Sequence, residues 1–74
     1  MQNRISVKKC EVRNGGRYYL VTTSKGNIFG DWRQDEELLK VGETYNIEWQ
    51  YSRDGKYRNI KYATDESSKI LMEI

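Results

Sequence analysis

Three short stretches of this 74-residue chain set an aromatic ring beside a cation: Arg17-Tyr18-Tyr19, Phe29-Gly30-Asp31-Trp32-Arg33 and Lys56-Tyr57-Arg58. Rings offer flat faces on which bases stack whatever their identity, and cations pair with the phosphates between them. Together they suit a single-stranded nucleic acid. Small β proteins also use Tyr and Trp as core, so each ring must be assigned separately. Other chemistry has little to work with. The chain has no His and one Cys, Cys10. A His-activated nucleophile, an intramolecular disulfide and a structural Cys/His zinc site are therefore excluded. Asp35-Glu36-Glu37 is an acidic cluster at the start of helix-forming residues, where carboxylates act as caps and dipole partners rather than as an acid–base pair. The expectation is a binding protein without catalysis, cofactor or metal.

Charge supports that expectation through its distribution. The formal net charge is only +2. Residues 1–33 hold seven Lys or Arg against two acids, and residues 53–62 hold four against one. Residues 34–52 reverse the balance with one Lys against five acids, and 63–74 carry one against three. Segregated charge of this kind is the footprint of a polyanion-binding face.

Elements that could position these groups are marked by regular punctuation. Asn14-Gly15-Gly16, Ser24-Lys25-Gly26-Asn27 and Arg53-Asp54-Gly55-Lys56 are turn clusters. Between them lie five runs of β-branched and aromatic residues: 3–13, 17–24, 27–33, 43–52 and 56–63. In the first, apolar parity slips between Val7 and Cys10, which predicts a bulge or bend. The fourth alternates cleanly, placing Tyr45, Ile47, Trp49 and Tyr51 on one face and Glu48 on the other. Tyr45, Ile47 and Trp49 are accordingly assigned to the core. Residues 35–42 start acidic and stop at Gly42, which predicts a helix of one or two turns. The order is β-β-β-α-β-β with residues 64–74 as a tail.

Five short strands in one domain avoid exposed edges by closing into a barrel, and a short helix between the third and fourth strands can plug one end. That is the order of an all-β, five-stranded Greek-key OB-type barrel spanning about residues 3–63 of a single domain. An SH3-like barrel is the competing closure, but it rarely carries a helix at that point. The longest aliphatic run is three residues, Ile70-Leu71-Met72, so no membrane span or signal peptide is read, and a cytoplasmic protein, nucleoid-associated or viral origin included, is expected. The apolar group Ile70, Leu71, Met72 and Ile74 either closes the barrel's open end or meets a second copy or a protein partner.

The stretches GNIFGDW (26–32), KVGETYNIEW (40–49) and GKYRNIKY (55–62) resemble the single-strand-binding OB domains of replication protein A and of archaeal single-strand binding proteins. In that family a Gly opens strand three, which ends in an aromatic. A VG-x-x-Y step enters strand four, and an aromatic stands early in strand five. The resemblance implies stacking positions at Trp32 and Tyr57, with Tyr18, Phe29 and Asp31 facing the ligand and Tyr19, Val21 and Ile28 turned into the barrel. It implies single-stranded DNA or RNA as partner, most simply DNA, with Arg17, Lys56, Arg58 and Lys61 on the phosphates. Two other functions are compatible with the residues: a small barrel that grips a protein, and one that coats duplex DNA with aromatic wedges.

Overall fold

The computed structural model describes residues 2–13, 15, 18–32 and 39–73. Its strands follow the alternating runs: β1 (Gln2–Arg13), β2 (Tyr18–Thr23), β3 (Ile28–Asp31), β4 (Thr44–Tyr51), β5 (Arg58–Thr64) and β6 (Ile70–Glu73). β1 is long because it serves two neighbours. Its first half, Gln2 to Ser6, pairs antiparallel with β4, and its second half, from Val7 onward, pairs with β2. The changeover falls at a register shift between Val7 and Lys9, where the sequence predicts a bulge. One extra residue there, Lys8, bends the strand from one partner to the other.

β2 pairs with β3, and β4 pairs with β5. Closure is made by a parallel contact between β3 and β5, registered at Gly30 and Asn59. The neighbour order is therefore β1-β2-β3-β5-β4 and back to β1, a closed five-stranded barrel. All of the described regular structure is β. Of the helix predicted over 35–42, residues 35–38 lie outside the described residues, and the described half is not helical. Residues 39–42 form a bend and a turn, and Leu39 is fully buried, so an apolar plug enters the barrel from this connection.

Residues 64–74, expected as a tail, instead hold β6, which pairs with the second half of β5. The reversal is built by Asp65. Its Oδ1 accepts N–H bonds from Ser67 and Lys69, both at 2.9 Å, while Ser68 takes the left-handed conformation at φ 66°. Met72 on β6 is buried and Leu71 packs against the core, leaving Ile70 exposed. Ile74 lies outside the described residues.

The core gathers Ile5, Val7, Val21, Phe29, Leu39, Tyr45, Ile47, Trp49, Ile60, Ala63 and Met72. Its two polar-tipped rings are satisfied. The Tyr45 hydroxyl accepts the Lys40 N–H at 2.8 Å, and the Trp49 indole donates to Asn3 Oδ1 at 3.1 Å. These placements agree with the parity of β4; Tyr51, at its end, is exposed and stands edge-on to Trp49.

Candidate nucleic-acid interface

A groove of about 590 Å³ lies between the β2–β3 face and the β4–β5 hairpin. Tyr18, Leu20, Ile28, Phe29, Gly30 and Trp32 come from the first side, and Ser52, Lys56, Tyr57, Arg58 and Asn59 from the second. The rings are arranged as a platform. Tyr18 and Trp32 stack with centroids 4.5 Å apart and planes 27° apart, inside the range for favourable offset stacking. The Trp32 indole N–H donates to Asn59 Oδ1 at 3.1 Å, tying the platform across the barrel seam to β5. Trp32 nevertheless stays 44% exposed, and Tyr57 is 64% exposed.

Gly30 gives this arrangement room. A Cβ at this position would stand 3.0 Å from Asn59 Oδ1 and 3.4 Å from Trp32 Nε1. A side chain here would press on the Asn59 amide and require it to give by a few tenths of an ångström, so glycine leaves the two groups room to meet above the backbone.

The β4–β5 hairpin is ordered by its own polar groups. Gly55 supplies the positive φ of the turn, at 75°. The Ser52 hydroxyl donates to Asp54 Oδ1 at 2.6 Å, and the Lys56 N–H donates to the same oxygen at 3.1 Å. Ser52 Oγ in turn accepts the Tyr57 N–H at 3.1 Å. The Ser52 hydroxyl first, and then the Lys56 N–H, hold the Asp54 carboxyl below its ordinary value. The network fixes the backbone that presents Lys56 and Tyr57.

The structure brings together Tyr18, Trp32, Tyr57, Lys56 and Arg58, and it corrects other expectations. Phe29 borders the groove without exposing its ring. It is fully buried, packs on Trp49 at 5.7 Å and lies under Arg58, whose guanidinium carbon is 5.0 Å from its ring centre. Arg58 also covers Trp49 at 5.5 Å, so one cation caps two core rings. Ile28, expected inside, is 46% exposed in the groove, and Asp31, expected on the binding face, is buried. Strand three therefore faces the opposite way from the expectation. Its barrel-facing residue is Phe29, and burial of Asp31 removes an anion from the groove. Val21 is buried, whereas Tyr19 is only half-buried.

Lys61 is not among the groove's lining residues. It is the extra residue on β5 at the register shift opposite Glu48 and Trp49, so the parity that would carry it to the groove is broken there. Arg17 lies outside the described residues. Cations of the first basic block are drawn elsewhere: Lys9 and Arg13 both reach Glu11 at 3.3 Å, and Arg4 reaches Glu66 at 3.1 Å. Among the described residues, Lys56 and Arg58 are the cations that line the groove.

The sequence does not single out Leu20, Ser52 or Asn59, and it turns Ile28 inward rather than into the groove. Asn59 has no local signal, because its role follows from a contact with Gly30 across the closure. A second, shallower depression of about 300 Å³ is lined by Gln2, Asn3, Arg4, Asn46, Ile47, Glu48 and Tyr62. Its mixed charge makes it a poor seat for a polyanion. Among the described residues no cluster of three His, Cys, Asp or Glu could hold a metal, and no helix is long and apolar enough to cross a membrane.

Compared with protein families, curated proteins and solved structures, the chain matches none. A nucleic-acid role therefore rests on the residues and on the groove they build.

Proposed function

We propose that this protein is an OB-type barrel that binds single-stranded nucleic acid, most simply DNA, in the groove between β2–β3 and the β4–β5 hairpin. The observation that carries the proposal is the Tyr18–Trp32 stack, exposed in an apolar groove and faced by Lys56, Tyr57 and Arg58. In OB-folds the same neighbour order places oligonucleotides on strands two and three and on the adjoining loops.

A base stacks on the outer face of Trp32, and a second meets Tyr57 across the groove. Each stacked base contributes about 1–3 kcal/mol. Lys56 and Arg58 neutralise phosphates, and with two such contacts the affinity is modest and falls with salt at a slope of about −1.4. Unpaired bases are favoured over duplex because a duplex covers the faces that the platform needs. No step involves bond making or breaking.

Titration of tryptophan fluorescence with oligo(dT), oligo(U) and a duplex of equal length, at two salt concentrations, tests this function. Saturable, salt-sensitive quenching by the single strands, and weaker quenching by the duplex, is the expected result. A duplex that binds as tightly as the single strands supports a duplex-coating role instead, and absence of saturable binding to every nucleic acid removes the proposed function.

A further inference from the structure

The outer face that carries the groove continues past β2 onto β1. The β1–β2 register sets Arg13 directly opposite Tyr18, Glu11 opposite Leu20 and Lys9 opposite Thr22. Tyr18 and Leu20 line the groove, and side chains directly opposite in an antiparallel pair share one face, with Cβ atoms about 4.5–5.5 Å apart. The intervening pair, Cys10 and Val21, turns to the core side. Lys9, Glu11 and Arg13 therefore stand beside the aromatic platform, one strand further on.

The ion pairs among them are easily exchanged. Arg13 Nη2 donates to Glu11 Oε2, and Lys9 Nζ stands by Glu11 Oε1, both at 3.3 Å. The Lys9 and Arg13 side chains are 63% and 49% exposed, and pairs so open to water contribute little. Arg13 spends one N–H group on Glu11, which leaves the rest of its guanidinium fork for another anion.

We propose that Lys9 and Arg13 continue the phosphate track of the groove across β1, and that Glu11 is an internal competitor that occupies both cations in the free protein and lowers affinity for the strand. The proposal rests on the nucleic-acid function above and adds a path to it. The bound strand runs from the β4–β5 hairpin, over the Tyr18–Trp32 platform, to β1, where its phosphates displace the Glu11 carboxylate.

Anisotropy titration of labelled oligo(dT) at two salt concentrations tests the path on wild type, Glu11→Gln, Arg13→Ala and Glu66→Gln. Glu11→Gln removes the competing charge and keeps the side chain's size. Affinity should rise about two- to fivefold, and the salt slope should steepen by about 0.7, one further net phosphate contact. Arg13→Ala leaves Glu11 to cancel Lys9, so affinity should fall and the slope should flatten by about the same 0.7. Glu66→Gln is the control. It removes the same unit of charge from an exposed pair with Arg4, which lines the other depression and not the groove, and it should change affinity less than Glu11→Gln does. Melting by circular dichroism reports whether each variant is folded.

A folded Glu11→Gln protein that binds no tighter than Glu66→Gln, or a folded Arg13→Ala protein that binds like wild type, overturns the path over β1 while leaving the groove's function intact. Failure of the wild type to bind oligo(dT) overturns both.

Discussion

Replacing Trp32 by Ala separates the two tasks of this side chain, holding the free groove together and stacking on a base. Fully burying a ring of this size removes roughly 150–250 Å² from water. At 44% exposure Trp32 keeps a little over half of its surface covered. About 100 Å² at ~25 cal/mol/Å² gives an upper value of about 2.5 kcal/mol. The denatured chain's own burial reduces that figure, while the Tyr18 stack and the exposed bond to Asn59 each add up to about 1 kcal/mol. The expected loss of stability is about 2 kcal/mol, a fall in Tm of roughly 10 °C for a domain of this size. Binding should also weaken by one stacked base, about 1–3 kcal/mol, or about five- to 150-fold in Kd. Trp32→Phe keeps a ring for both Tyr18 and the base but lacks the indole donor, so its effects on Tm and Kd should be the smaller ones. Thermal melting by circular dichroism and titration by anisotropy of labelled oligo(dT), which needs no tryptophan signal, measure the two quantities independently. A folded Trp32→Ala protein that melts and binds like wild type would refute both the stack and the site.

Lys56→Ala should flatten the salt dependence of binding by about 0.7 in slope with no change in Tm, because its side chain is exposed. Arg58→Ala should flatten it similarly but also lower Tm, since its guanidinium covers Phe29 and Trp49; melting and salt titrations on each single variant distinguish the two. Phe29→Ala and Trp49→Ala should each destabilise the barrel by about 3–5 kcal/mol, as buried aromatics do, and chemical denaturation of a well-folded, wild-type-stable Phe29→Ala protein would return Phe29 to the surface. The depressed Asp54 carboxyl orders the hairpin at any pH above its ordinary value, and that order is lost only as pH falls through the lowered one. Lys56 and Tyr57 amide shifts should therefore stay flat through neutral pH and move only on strong acidification; a transition at or above the ordinary Asp value contradicts the network.

The local pattern was sufficient wherever one face of a strand is buried and the other is wet. Period-two alternation in residues 44–51 placed Tyr45, Ile47 and Trp49 in the core correctly, because each inward residue there has an outward polar neighbour. The slip between Val7 and Cys10 located the bend in β1 for the same reason. The β4–β5 hairpin, with Lys56 and Tyr57 at the groove, was legible from Asp54-Gly55 because turn chemistry is also local.

Parity failed where the barrel closes. Phe29, Gly30 and Asp31 are all buried, since at the seam both faces of β3 are covered, and alternation carries no information about a strand buried on both sides. The facing of Phe29 and Ile28, the burial of Asp31 and the meeting of Trp32 with Asn59 depend on which residue of β5 lies opposite Gly30. β6 was hidden for a different reason. Its reversal uses the Asp65 carboxylate and Ser68 rather than Gly or Pro, so it lacks the usual punctuation. Sequence by itself determined the first five strands, most of the turns and the rings available for stacking, because those follow from neighbours along the chain. Only the tertiary structure decided which rings are exposed and which cations share a groove with them, because that depends on register between strands distant in sequence.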